Sequence, residues 1–344
     1  MDLHLFADHS HRRYNPLLRE WVLVAPHLAQ PAAALPPRKA ERVSIYDPRC
    51  ALCPGNPGPG GARNPDYDGA LALDESPAPL SSRTAEAGID EGDLIVVRSE
   101  PGACRTIAYT PRHDLSLARM DVSELCRVVD LWTAQYEALG APPSSRYVQI
   151  FEDHDEARGA VAGHPHGRVW ATATLPAIPA REQAALTGYQ SARSTCLLCD
   201  YLALEQVYRE RFVCENDHFT ALVPFWAATP YEVLLISRQH QGALSQLSGG
   251  ERLALADVVK RLAARYENLL AAPVSLGFHQ SPTDGHPHPE WHLHAHFFPA
   301  SSRAEITTTS SAFEALASPL VNWTAETAAL RLREAPETMP ESSR

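Results

Sequence analysis

Residues 163–171 read GHPHGRVWA, so two imidazoles, His164 and His166, flank a proline and Arg168 stands two residues further on. The chain also carries two C-x-x-C pairs, Cys50/Cys53 in CALC and Cys196/Cys199 in CLLC. Thiolates and imidazoles in such numbers suit tetrahedral zinc. Cys50, Cys53, His113 and His164 make one complete Cys2His2 set, which leaves no coordination position open and so predicts a structural ion. The plainer reading is a buried pair of free cysteines beside ordinary histidines. The second half offers Cys196, Cys199, His240 and His294. A competing set, Glu182, His279, His294 and His296, shares His294, so one ion takes only one of the two. Soft thiolates favour the cysteine set for zinc, which predicts two zinc ions per chain.

With His164 on a metal, His166 remains. The pair is expected to split, His164 turning to an ion behind a sheet and His166 to a cleft. Pro165 stiffens the segment, and Gly167 is expected to let a substrate approach the backbone closely. A neutral imidazole, with an ordinary pKa near 6.5, is a competent nucleophile at phosphorus. Attack on an α-phosphate would give a nucleotidyl-histidine. A lone histidine is more often a satisfied core residue; its place beside a candidate ligand favours catalysis.

The elements that must position these residues come in two similar runs. From Arg105 and from Tyr231, each begins with a β-prone stretch, followed by a basic residue and a histidine (Arg112-His113; Arg238 and His240). Each then continues into an amphipathic stretch of helical spacing that ends at a Tyr-Glu dipeptide, Tyr136-Glu137 or Tyr266-Glu267. A strand-like run and a histidine cluster follow in both, and a C-x-x-C precedes both. The pattern predicts a duplicated α+β unit, an antiparallel sheet with one main helix per half. The expected division is 1–185, holding the first zinc and the nucleophile, 186–330, holding the second metal, and a mobile tail at 331–344. The seam falls near 175–195, where LPAIPARE breaks the pattern. PGNPGPGGARNPDYDG cannot be regular structure, and residues 28–38 and 72–92 read as loops.

The formal net charge of the 344 residues is −11, with no lysine/arginine block, which argues against a nucleic-acid footprint. No apolar run of about 18 residues is present, and the N-terminus lacks the apolar core of a signal peptide; a cytoplasmic protein is expected.

Taken together, HRRYNPL, WVLVAPH, the first C-x-x-C, NPDY, HPHG with VWA, PAREQ, VPFWAATPYE and WHLHAHFFP resemble galactose-1-phosphate uridylyltransferases, of the histidine-triad superfamily, over nearly the whole chain. The resemblance implies a duplicated half-barrel with helices on one side and a homodimer whose sites the partner completes. It implies ping-pong transfer of UMP from a nucleotide sugar to a sugar 1-phosphate through His166. Zinc ligands would be Cys50, Cys53, His113 and His164, with the second metal of some members at Glu182, His279, His294 and His296. Substrate contacts would fall at Asn64, Asp153, Gly159, Val161, Arg168 and Glu314. Several of these depart from the family pattern. Glutamine is usual where Arg168 stands, two basic residues where Leu28 and Pro31 stand, asparagine at Asp153 and serine at Val161. A Lys-Phe element is replaced within EITTTSSAFEAL, of which Glu314 is the expected remnant. Two other functions are compatible with these changes: a nucleotide phosphorylase or hydrolase acting on another nucleotide, and a non-catalytic zinc scaffold.

Overall fold

The computed structural model describes residues 6, 8–29, 44–152, 163–270, 274–299 and 312–340. Asp153, Gly159, Val161 and Pro31 lie outside them. A hairpin, β1 (His11–Asn15) and β2 (Glu20–Val24), opens the chain. β3 (Leu71–Asp74) follows, then an exposed hairpin, β4 (Gly88–Glu91) and β5 (Ile95–Arg98). The first repeat is β6 (Gly102–Ala108), α1 (Val122–Gly140), β7 (Tyr147–Glu152) and β8 (His166–Thr172). Between the repeats stand α2 (Ala177–Arg193), α3 (Leu197–Tyr208), β9 (Phe212–Glu215) and β10 (Phe219–Leu222). The second repeat is β11 (Val233–Ser237), α4 (Gly249–Leu270), β12 (Val274–His279) and β13 (His294–Pro299). α5 (Ala312–Leu316), β14 (Leu320–Val321) and α6 (Ala325–Glu334) close the described chain.

Among the described residues, nine strands pair antiparallel in the order β3-β6-β8-β7-β12-β13-β11-β10-β9. Within this sheet β6-β8-β7 mirrors β11-β13-β12, and the halves join where Phe278 of β12 pairs with Ile150 of β7. α1 buries Leu125, Val128, Val129, Trp132, Tyr136 and Leu139, a helical stripe, and packs beside α4 on one face of the sheet. Trp132 meets Tyr109 of the first half at 5.6 Å and Phe278 of the second at 5.3 Å, ring centre to ring centre, so one core spans the join. The opposite face of β10 and β11 is covered as well, by Leu197, Leu198 and Leu202 of α3. β11 is therefore buried throughout rather than in alternation.

The seam and the C-terminal segment are both structured. LPAIPARE opens a helix at the seam: Pro176 caps α2 and Pro179 lies in its first turn, where proline's missing N–H costs nothing. α2 therefore runs unbroken through the expected division at 185/186. The segment read as a mobile tail from 331 is anchored as far as Thr338. Arg265 of α4 donates to the carbonyls of Leu332, Arg333 and Ala335, and Asn268 to those of Pro336 and Thr338. Leu332 is fully buried. Polar composition hid this because the anchor lies on another helix. Within 72–92, read as loop, β4 and most of β3 are strand.

A buried charge network ties the ends together. Arg13 of β1 grips Glu326 of α6 through two hydrogen bonds, 2.9 and 3.0 Å long, and Arg211 joins the same carboxylate at 2.8 Å while holding Glu205 of α3. Burial would raise the Glu326 carboxyl, but Arg13 and Arg211 outweigh it and hold it below the ordinary glutamate value. A carboxyl depressed in the folded state stabilises above its unfolded pKa, and that contribution is lost as pH falls through the folded one. Glu326→Gln is expected to cost about 3 kcal/mol in urea unfolding at neutral pH, since Arg13 is left buried without its anion. In acid the variant and the parent should converge; an equal gap at both pH values would count against the network.

Candidate active site and metal centres

Among the described residues, three groups of side chains could each hold a metal ion. In the first, Cys50, Cys53, His113 and His164, all buried, converge from an irregular loop and two strand ends. Sulfur-to-Nδ1 separations are 3.6 Å for Cys50–His164 and 3.7 Å for both Cys53–His164 and Cys53–His113. A tetrahedral zinc, with bonds of about 2.3 Å to sulfur and about 2.0 Å to nitrogen, spaces the two about 3.6 Å apart. His164 Nε2 donates to the Thr110 carbonyl at 2.8 Å, which fixes the tautomer and points the Nδ1 lone pair at the sulfurs. Burial pulls the His164 imidazole down to about 4, so it stays neutral as a ligand must. Gly163, at φ +84°, is required here, because a Cβ would stand 2.8 Å from His113 Nε2.

The second group corrects the expected ligand set. Cys196, Cys199 and His240 meet His292, not His294. Cys196–His292, Cys199–His292 and Cys199–His240 separations are 3.5, 3.4 and 3.5 Å. His292 Nε2 donates to the Ser237 carbonyl at 2.7 Å, as His164 does to Thr110. In the WHLHAH run His292 occupies the place of His164, so counting from the start of each histidine cluster would have found it.

His294 belongs instead with Glu182, His279 and His296. The two second-half sets therefore share no residue, and one does not exclude the other. Glu182 is 1 % exposed, and its Oε2 lies 2.8 Å from His279 Nδ1, without hydrogen-bond geometry. Glu182 Oε2, His279 Nδ1, His294 Nε2 and His296 Nε2 are all buried and lack hydrogen-bond partners among the described residues. Four orphaned polar atoms aimed at one point are what a cation would satisfy. Burial alone would raise the Glu182 carboxyl; His279, His294 and His296 hold it well below the ordinary range, so it is anionic, as a carboxylate that could bind a cation must be. Three imidazoles and a carboxylate suit zinc or another first-row divalent ion.

His166 is in none of these groups. Residues two apart on a strand share a face, so the expected split from His164 needs another cause. His164 lies in the turn before β8, and only His166 is on the strand. His166 is 5 % exposed. Its Nδ1 lies 2.8 Å from the His164 carbonyl, which can only accept, so Nδ1 carries the proton and Nε2 the lone pair. Arg168 and Trp170 share its face of β8. Gly167 serves packing rather than substrate approach: a Cβ there would strike the Tyr109 hydroxyl on the helix side.

The remaining expected contacts separate. Asn64 is buried, its amide donating to the carbonyls of Ala51 and Cys53 at 2.8 and 3.1 Å, so it shapes the cysteine loop. Leu28 is exposed on a short turn, and Glu314 is half-buried on α5. Sequence reasoning missed Glu75, whose carboxylate accepts from Trp170 Nε1 at 3.0 Å and lies 3.7 Å from Arg168 Nε.

Residues 3–176 match the galactose-1-phosphate uridyl transferase N-terminal domain and residues 182–343 the C-terminal domain. The chain belongs to the galactose-1-phosphate uridyl transferase family. It is 37 % identical to the galactose-1-phosphate uridylyltransferase of Haemophilus influenzae over 340 residues, 95 % of each chain. With the Rattus norvegicus enzyme it shares 36 % over 339 residues, 96 % of this chain and 89 % of the relative. A solved uridylyltransferase superposes with a TM-score of 0.73 at 22 % identity, covering 94 % of this chain and 97 % of the other. An ADP-glucose phosphorylase from Arabidopsis thaliana gives 0.72 at 18 %, covering 95 % and 99 %. These two likenesses speak to the duplicated α+β fold. Among the described residues no helix is long and apolar enough to cross a membrane.

Proposed function

We propose that the protein is a uridylyltransferase that moves UMP from UDP-glucose to galactose 1-phosphate through His166. The observation that carries this reading is the protonated Nδ1 of His166 tied to the His164 carbonyl, which presents Nε2 as the nucleophile. Nε2 attacks the α-phosphorus; an N–P bond forms as the P–O bond to glucose 1-phosphate breaks. A phosphate oxygen of galactose 1-phosphate then attacks the same phosphorus, breaking the N–P bond and yielding UDP-galactose. The His164 carbonyl accepts from the Nδ1–H throughout and so stabilises the positive charge that grows on the ring. Splitting one displacement into two makes each easier.

Zinc in the two cysteine–histidine groups, a divalent ion at Glu182, and a homodimer in the cytoplasm complete the proposal. Metal at these groups would hold strand ends and loops in place, and no chemical step passes through it.

Incubation with UDP-glucose is expected to add one uridylyl group by intact mass. Galactose 1-phosphate should discharge it faster than phosphate or water. Discharge by inorganic phosphate alone would make the protein a phosphorylase, and no adduct with any nucleotide sugar would leave a scaffold.

A further inference from the structure

Glu75 lies one residue past β3, where its N–H continues the sheet by donating to the Cys104 carbonyl at 3.1 Å. Its two carboxylate oxygens divide between neighbours on β8: Oε2 accepts from Trp170 Nε1, and Oε1 faces Arg168 Nε at 3.7 Å. Phe151 braces Trp170 edge-on, 5.3 Å between ring centres and 87° between planes. The carboxylate therefore has little freedom to leave. Glu75 and Arg168 are only 13 % and 14 % exposed, so water screens their attraction less than it would at the surface. His166 and Arg168 are two residues apart on one face of β8, a separation of about 7 Å along the strand. A guanidinium there is within reach of a phosphate carried on His166, and it would grip that phosphate tightly if nothing opposed it.

We propose that Glu75 is a positioning residue that sets how much of the Arg168 charge a phosphate on His166 meets. The carboxylate holds the guanidinium at the edge of the nucleotide site and offsets part of its charge. A uridylyl group can then be bound and still be released to the second substrate. This rests on the reading of His166 as nucleophile.

The test is a double-mutant cycle of Glu75→Gln and Arg168→Gln. Glutamine at 75 keeps an oxygen for Trp170 and removes only the charge. Glu75→Gln is expected to lower KM for UDP-glucose about five- to tenfold and to slow discharge of the uridylyl-enzyme by a similar factor. In the Arg168→Gln background the same change should move both by less than about twofold. Equal effects of Glu75→Gln in both backgrounds, or none in either, would overturn the proposal, because a merely structural glutamate would not split KM from discharge in an Arg168-dependent way. UMP affinity of the four proteins, read by calorimetry, gives the same coupling without chemistry. If no uridylyl-enzyme forms, the function fails, and the calorimetric cycle alone decides the pairing.

Discussion

His166→Gly is expected to lower uridylyl transfer by at least about 10⁴-fold, with no intact-mass adduct. A nucleophile that forms a covalent intermediate has no substitute when its ring is gone, and the neighbouring imidazole is committed elsewhere: His164 Nδ1 faces two sulfurs and its Nε2 the Thr110 carbonyl. The variant should keep the metal content of its parent and unfold at a similar temperature, because His166 belongs to none of the metal groups. Retention of even a hundredth of the parent rate, with metal content unchanged, would show that the phosphorus is captured by another group.

The second large effect separates the two cysteine–histidine groups. Cys53→Ser is expected to cost more than about 4 kcal/mol of stability and one zinc per chain. It should also slow transfer about 10²-fold at temperatures where the variant remains folded. The second loss follows from geometry: His164 belongs to the first candidate metal group and its carbonyl also holds His166, and a nucleophile misplaced by about 1 Å loses that much. Cys196→Ser should lose a zinc and comparable stability, yet keep kcat within about threefold, since the His292 carbonyl accepts from His294 and not from the nucleophile. Metal analysis, thermal unfolding and initial rates on both variants check the contrast. Matching losses of rate in the two would show that the first group has no special hold on His166.

Much of this architecture was legible in the residues. The ordered series Cys-Cys, His, helix, strand, His-x-His predicted the duplication, because in each half the two cysteines, the first histidine and one histidine of the cluster meet in one candidate metal group. The first set of four ligands comes together as read. The second went astray by two residues: His292, His294 and His296 alternate along one stretch, and composition cannot say which of three imidazoles faces two sulfurs. Register against the first half can, since His292 and His164 each donate Nε2 to the carbonyl three residues before His240 and His113. Asn64 was implied as a substrate contact by the family resemblance alone; its amide donates to carbonyls within its own loop. Glu75 gave no signal at all. Its partners are more than ninety residues away in sequence, and only the pairing of β6 with β3 and β8 brings them together. The anchored C-terminal segment was invisible for the same reason, its hydrogen bonds coming from Arg265 and Asn268.

The mirrored strand order has a consequence for how many reactions one chain can run. His294 repeats His166 down to the Nδ1 contact with the carbonyl two residues back, 2.7 Å against 2.8 Å. Its Nε2, however, is directed at Glu182, His279 and His296. An ancestor assembled from two alike copies would have owned a pair of potential nucleophiles. If the Glu182 group holds an ion, the His294 ring is taken up as a ligand and His166 alone is left to react, so a single polypeptide is expected to accept a single uridylyl group.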